Sequence, residues 1–275
     1  MIDGILIFWF VLTGLSMIYI TYDLIAITPE ATVMKVGWWL VTLYTGPIGL
    51  FFYLLSCKEP MPGTHEKFIE PLWKQSLGSM VHCLAGDVTG IIIAAIVIAF
   101  FSISLPLELT IEYLAGFFFG LFIFQALFMK GMMGGTYWKA LSTSFYPEFT
   151  SMNMIMAGMI PTMVIWNMIE PSAASPTSIH FWGKISLATI IAGILAFPMN
   201  RWLVRTGLKH GMMTVRKGQE GEPMDMEMEH AHMVHKHHEM PKATAKQMWL
   251  MLLLSLITLG VGCLIAVLAW LVKIN

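Results

Sequence analysis

The stretch Gln247-Met-Trp-Leu-Met-Leu-Leu-Leu-Ser-Leu-Ile-Thr-Leu-Gly-Val-Gly-Cys-Leu-Ile-Ala-Val-Leu-Ala-Trp-Leu-Val272 carries no charge over 26 residues. As an α-helix it is about 39 Å long, more than the ~30 Å of a bilayer's hydrocarbon core. Backbone groups in hydrocarbon must be satisfied within their own segment, so a run of this kind reads as a membrane-crossing helix. Six more apolar segments precede it, at 4–26, 37–56, 79–102, 106–128, 151–169 and 181–204. The expected fold class is therefore all-α, a polytopic transmembrane helical bundle of about seven spans. A composition of 57% hydrophobic and 12% charged residues excludes a soluble globular chain. Pro29, Pro60, Pro106, Pro147 and Pro171 mark helix edges in this reading, while Pro47, Pro161 and Pro198 fall inside spans and predict kinks.

With seven spans, the N-terminus and the loops after the second, fourth and sixth hold thirteen Lys and Arg. The other side holds three, Lys35, Lys184 and Lys273. The positive-inside rule then places the loop 214–246 in the cytoplasm and the C-terminus outside, in a multi-pass protein of the cell membrane. The opening Met1-Ile2-Asp3 lacks a basic leader, so the first segment is expected to be a retained span. The three cysteines have no pairing rhythm, and the charge pattern gives nucleic-acid binding no support. The chain divides into two N-terminal spans and a loop (1–74), a four-span core (75–213), a His/Met-rich loop (214–246) and a C-terminal span (247–275).

Gly46 with Gly49, Gly86 with Gly90, Gly116 with Gly120, and Ala157 with Gly158 read as contacts where helices pack closely. Trp38, Trp39, Trp73, Trp138, Trp182 and Trp202 fall near span ends, as in an aromatic belt. A weak internal repeat pairs Ser79-Met80 and Ala85-Gly86 with Ser151-Met152 and Ala157-Gly158, and Ala126 to Met129 with Ala196 to Met199. It suggests a two-fold repeat of hairpins, an arrangement that in transporters places the site at the repeat interface.

Soft ligands recur along the chain. Residues Met224, Met226, Met228, His230, His232, Met233, His235, His237, His238 and Met240 alternate with carboxylates in a ribbon too polar to fold. Thioethers suit Cu(I) and imidazoles suit Cu(II), Zn and Ni, so copper comes first, with zinc or nickel as neighbours. The plainer alternative is a solvated linker. In the third span Met80, Cys83 and Asp87 share one helical face, flanked by His82. An aspartate inside a span is costly, so Asp87 should face protein, water or a cation. In the fifth span Met152, Met156, Met159 and Met163 form a sulfur stripe, which is either adaptable core or a metal path. The sixth span closes with Met199 and Asn200 after Pro198. Met80, His82, Cys83, Met129, Met132, Met133, Met152, Asn153, Met199 and Asn200 should lie at one depth on the ribbon side. Glu108 and Glu112 could relay protons on the other side, or form an interfacial solvated pair.

The pair His82-Cys83 followed by Gly86-Asp87, the entry Ser151-Met152, and Phe197-Pro198-Met199-Asn200-Arg201-Trp202-Leu203 with Gly207 and His210-Gly211 resemble a known family. It is the bacterial and archaeal multi-pass proteins grouped as domain of unknown function 4396, and the likeness covers residues 75–213. The resemblance implies a polytopic membrane protein and no settled activity.

Three readings follow. The first is a transporter or permease for a transition-metal ion with a metal-binding loop. The second is a redox membrane protein, and the third a non-catalytic subunit or assembly factor. The expected partners are the lipid bilayer and a transition-metal ion, with a homo-oligomer or a larger membrane complex as further options. Phosphate-binding, acyl-hydrolase and zinc-protease motifs are missing from the sequence.

Overall fold

A computed structural model describes residues 2–126, 136–216 and 242–274. The architecture is all-α. Nine helices are described: α1 (Ile2–Ala26), α2 (Thr32–Thr45), α3 (Pro47–Ser56), α4 (His65–Ile69), α5 (Leu72–Ile98), α6 (Leu105–Phe119), α7 (Tyr137–Ile169), α8 (Ile179–Arg205) and α9 (Ala245–Ile274). A single wide π turn, Gly120–Gln125, prolongs α6. Six of these helices are long and apolar enough to cross a bilayer: α1, α5, α6 with its extension, α7, α8 and α9.

The segment expected as the second span, 37–56, is instead part of a hairpin. Gly46 takes φ +58°, and Pro47 restarts the chain as α3. A side chain at Gly46 would strike Thr13 and Trp9, so the tip of the hairpin reaches the middle of α1. From there α3 returns, and the Tyr53 hydroxyl donates to Asp23 near the end of α1 at 2.5 Å. Cys57 comes back beside Glu30, where α2 began. Two helices of 14 and 10 residues therefore enter and leave on one side. The seven expected spans become six plus a re-entrant hairpin.

This change moves the N-terminus. Asp3 accepts a hydrogen bond from His180 at 2.7 Å, Leu6 lies against Gly183, and Trp9 donates to Ser186 at 3.0 Å. Helix α1 thus runs beside α8 in the same direction, and its start shares a side with the short connection 170–178. Pro147 is likewise not an edge, because α7 begins ten residues earlier and runs through it.

Small residues set the packing, as hydrocarbon offers helices little hydrophobic drive to associate. A Cβ on Gly86 would meet the Gly120 backbone at 2.8 Å, and one on Gly90 the Ala115 carbonyl at 2.5 Å, which locks α5 to α6. Gly158 packs on Ala192 of α8, and Gly262 of α9 on Ala157 of α7. The hairpins α5–α6 and α7–α8 run in the same sense, with α2 lying along α5 through Gly37 and Tyr44.

Candidate functional site

Four helices and one returning segment deliver polar side chains to a single buried point. From α5 come Ser79, His82, Cys83 and Asp87; from the π turn, Gln125; from α7, Glu148 and Ser151; and from α8, Asn200. All are buried. The last member, Lys209, lies beyond the end of α8. Gly207 adopts φ +70°, and the Leu208 and Lys209 amides turn back onto the Leu203 carbonyl, at 2.9 and 3.2 Å. This reversal sends Lys209 inward instead of into solvent.

The lysine ammonium donates to Cys83 Sγ, to Glu148 Oε2 at 3.2 Å and to Asn200 Oδ1 at 3.3 Å. Burial by itself would lower the Lys209 pKa, but Cys83 and Glu148 beside it carry it above the ordinary lysine value. Gln125 donates to Glu148 Oε2 at 2.9 Å, and Asn200 to Ser151 Oγ at 2.9 Å. Asp87 lies one step deeper. A Cβ on Gly120 would come within 2.0 Å of Asp87 Oδ1 and 2.6 Å of Glu148 Oε1, so the two carboxyl groups face each other across a bare backbone. No N–H or other hydroxyl among the described residues reaches those oxygens. At these oxygens the two carboxyl groups have only each other as polar neighbours. The π turn begins at Gly120 and ends at Gln125, and widening the helix there shifts the face that Gln125 presents.

On the ribbon side a cavity of about 290 Å³ opens onto this centre, lined by His82, Ser79, Gln125, Ser144, Lys209 and His210 among others. His82 also packs edge-on against Phe124, 5.6 Å between centroids.

The sequence-derived candidates divide into three groups. His82, Cys83, Asp87 and Asn200 converge around Lys209. Met80, Met152, Met156, Met159, Met163 and Met199 all face inward, within the apolar core; Met80 lies against Gly193 of α8 and Met152 against Gly116 of α6. Met224, Met226, Met228, His230, His232, Met233, His235, His237, His238 and Met240 lie outside the described residues, as do Met129, Met132 and Met133. Five members of the centre, Ser79, Gln125, Glu148, Ser151 and Lys209, are not among the candidate ligands that the sequence offers. Glu148 precedes Met152 by four residues, so the sulfur stripe continued back one turn leads to it; Lys209 and Gln125 carry no comparable signal.

The family described as Domain of unknown function (DUF4396) matches residues 72–209. The chain belongs to this family. The match spans half of the chain and takes in every residue of the centre, ending on Lys209 itself. No curated protein and no solved structure matches the chain.

A second buried polar group lies outside the match, at the base of the re-entrant hairpin. Glu30, Cys57 and His65 are all buried there. Burial pushes the Glu30 carboxyl up to about 8, against the pull of the Met213 and Ala31 amides. It raises the Cys57 thiol well above its usual value, helped by Glu30, and lowers the His65 imidazole.

Proposed function

We propose that the protein is a transport-type membrane protein in which a cation exchanges with the Lys209 ammonium at the Cys83–Glu148–Asn200–Asp87 centre. One observation carries this reading. A lysine tethered to a segment beyond the last helix turn pairs with a buried carboxylate and donates to a buried thiol at the wall of an open cavity. Withdrawal of that ammonium leaves a cation-shaped vacancy among sulfur, carboxylate and amide donors, with the His82 imidazole near. A thiol and an imidazole beside carboxylates favour a soft or borderline transition metal, copper first, with zinc and nickel next. The His/Met ribbon between α8 and α9 would capture such an ion on the side where the cavity opens.

The six-span arrangement supports a cytoplasmic ribbon. Assigned by the segment of sequence they occupy, fourteen Lys and Arg fall on the ribbon side and two, Lys184 and Lys273, on the other. The plasma membrane is the setting this reading implies.

Vesicles reconstituted with the purified protein and loaded with a metal-sensitive dye test the proposal. Cu(I) or Zn(II) influx is expected in wild type and abolished in the Cys83→Ser, Glu148→Gln double variant. Wild-type vesicles that admit neither ion, or a double variant with unchanged flux, would refute it.

A further inference from the structure

The group at the hairpin base has the makings of a metal site of its own, independent of the transport reading. Glu30 precedes α2, Cys57 closes α3 and His65 opens α4, so three separate elements contribute one donor each. One donor atom from each lies within 4.8 Å of the other two. Glu30 Oε1 is occupied by the amides of Ala31 at 3.0 Å and Met213 at 2.9 Å. Its other oxygen, Oε2, faces Cys57 Sγ at 3.7 Å and His65 Nε2 at 3.9 Å. A tetrahedral zinc ion with bonds of 2.0–2.3 Å holds its ligands roughly 3.3–3.8 Å apart, so the two Oε2 distances already lie at or near that range, and Sγ and Nε2, within 4.8 Å of each other, close on the ion.

The imidazole is held at both of its nitrogens. Its Nδ1 lies 2.7 Å from Thr214 Oγ1, and its Nε2 lies 2.9 Å from the Cys57 carbonyl. Nε2–H donates to the Cys57 carbonyl and Nδ1 accepts from Thr214 here; a metal at Nε2 moves the proton to Nδ1, where Thr214 Oγ1 accepts it, and turns the Nε2 lone pair from the carbonyl toward Sγ and Oε2. This is how outer hydrogen bonds fix the tautomer of a metal-bound histidine. Of the nearby cations, Lys58 pairs with Asp23 at 3.5 Å and Arg216 with Glu59 and Glu66 at 3.2 and 2.9 Å, while Lys35 acts on Glu30 and Cys57 through its charge.

We propose that Glu30, Cys57 and His65 form a binding site for a divalent metal ion of the zinc class. The fourth position is left to water or a backbone carbonyl. The ion would fasten the hairpin base to α4 and, through Met213 and Thr214, to the strap that carries Lys209. That strap already pairs with residues 29–31, through Val215 to Pro29 at 2.8 Å and Ala31 to Met213 at 3.2 Å.

Cobalt reports the site directly, because a thiolate ligand gives Co(II) a charge-transfer absorption that imidazole, thioether and carboxylate do not. The sequence has three cysteines, so the band can be assigned. Full-length protein in detergent, stripped with a chelator and titrated with CoCl₂, is expected to develop the band with a saturating stoichiometry of one. Cys83→Ser should keep it and Cys57→Ser should lose it. Thr214→Val, which leaves every ligand in place, should weaken binding roughly 10–100-fold. A wild-type protein with no thiolate band overturns the proposal. So does a band that survives Cys57→Ser, and one that instead vanishes in Cys83→Ser assigns the metal to the Lys209 centre. Wild-type protein that shows the Cys57 band but no flux in vesicles would sink the transport reading alone.

Discussion

Lys209 and Glu148 lie 3.2 Å apart and both are buried, so each is tolerable only because of the other. A buried pair is strongly destabilised when one partner goes, by about 3–5 kcal/mol, since the remaining charge is left without compensation. Lys209→Met is therefore expected to lower the thermal midpoint in detergent by the equivalent of about 3–5 kcal/mol. Adding Glu148→Gln should recover part of the loss; a double variant no more stable than Lys209→Met would show that the two charges do not depend on each other. At this scale the sequence exposed Cys83, Asp87 and Asn200, because polar groups inside apolar runs need a reason to be there. It placed Glu148 in a loop, since the apolar run begins at 151 although the helix begins at Tyr137. Lys209 read as an ordinary basic residue after a span, because the reversal at Gly207 is a property of the fold.

Helix α6 shows how an element can be shaped by what it must avoid. The π turn and two glycines on one face, Gly116 and Gly120, let α5 and α7 bring their carboxyl groups together. A Cβ on Gly120 would lie 2.0 Å from Asp87 Oδ1, well inside any real contact. Gly120→Ala should cost about 1–3 kcal/mol through overpacking and displace the Asp87–Glu148 pair, whereas Gly260→Ala on α9, with open space around it, should be neutral or slightly stabilising. Melting curves of the two variants make the comparison; equal stability would mean that α6 has room to spare. The pairing of small residues was legible beforehand, as Gly86, Gly90, Gly116 and Gly120 recur at helical spacing and do meet across α5 and α6. The widened turn was not, because nothing in Gly120–Gln125 distinguishes it from ordinary helix.

For the whole molecule, the hairpin at Gly46 changes the parity of the bundle. Six crossings put both ends of the chain on one side and the hairpin base with the ribbon on the other. Epitope tags fused to the N- and C-termini should therefore be digested together by protease added to one face of sealed vesicles. A maleimide target at Lys58→Cys should be labelled only from the opposite face; tags digested from different faces would restore seven spans. Hydropathy determined the class of this protein, because runs of twenty or more apolar residues have only one stable form in a bilayer. It also determined which helix faces turn inward, because small residues and polar groups are costly or wasted against lipid. Tertiary structure alone decided that residues 32–56 turn back instead of crossing, since length and hydrophobicity are the same either way and only the Gly46 backbone with its contacts to Trp9 and Thr13 differs. It also decided that a lysine beyond the last turn of α8 sits among carboxylates from other helices, because contacts between residues more than sixty positions apart leave no periodic mark on the chain.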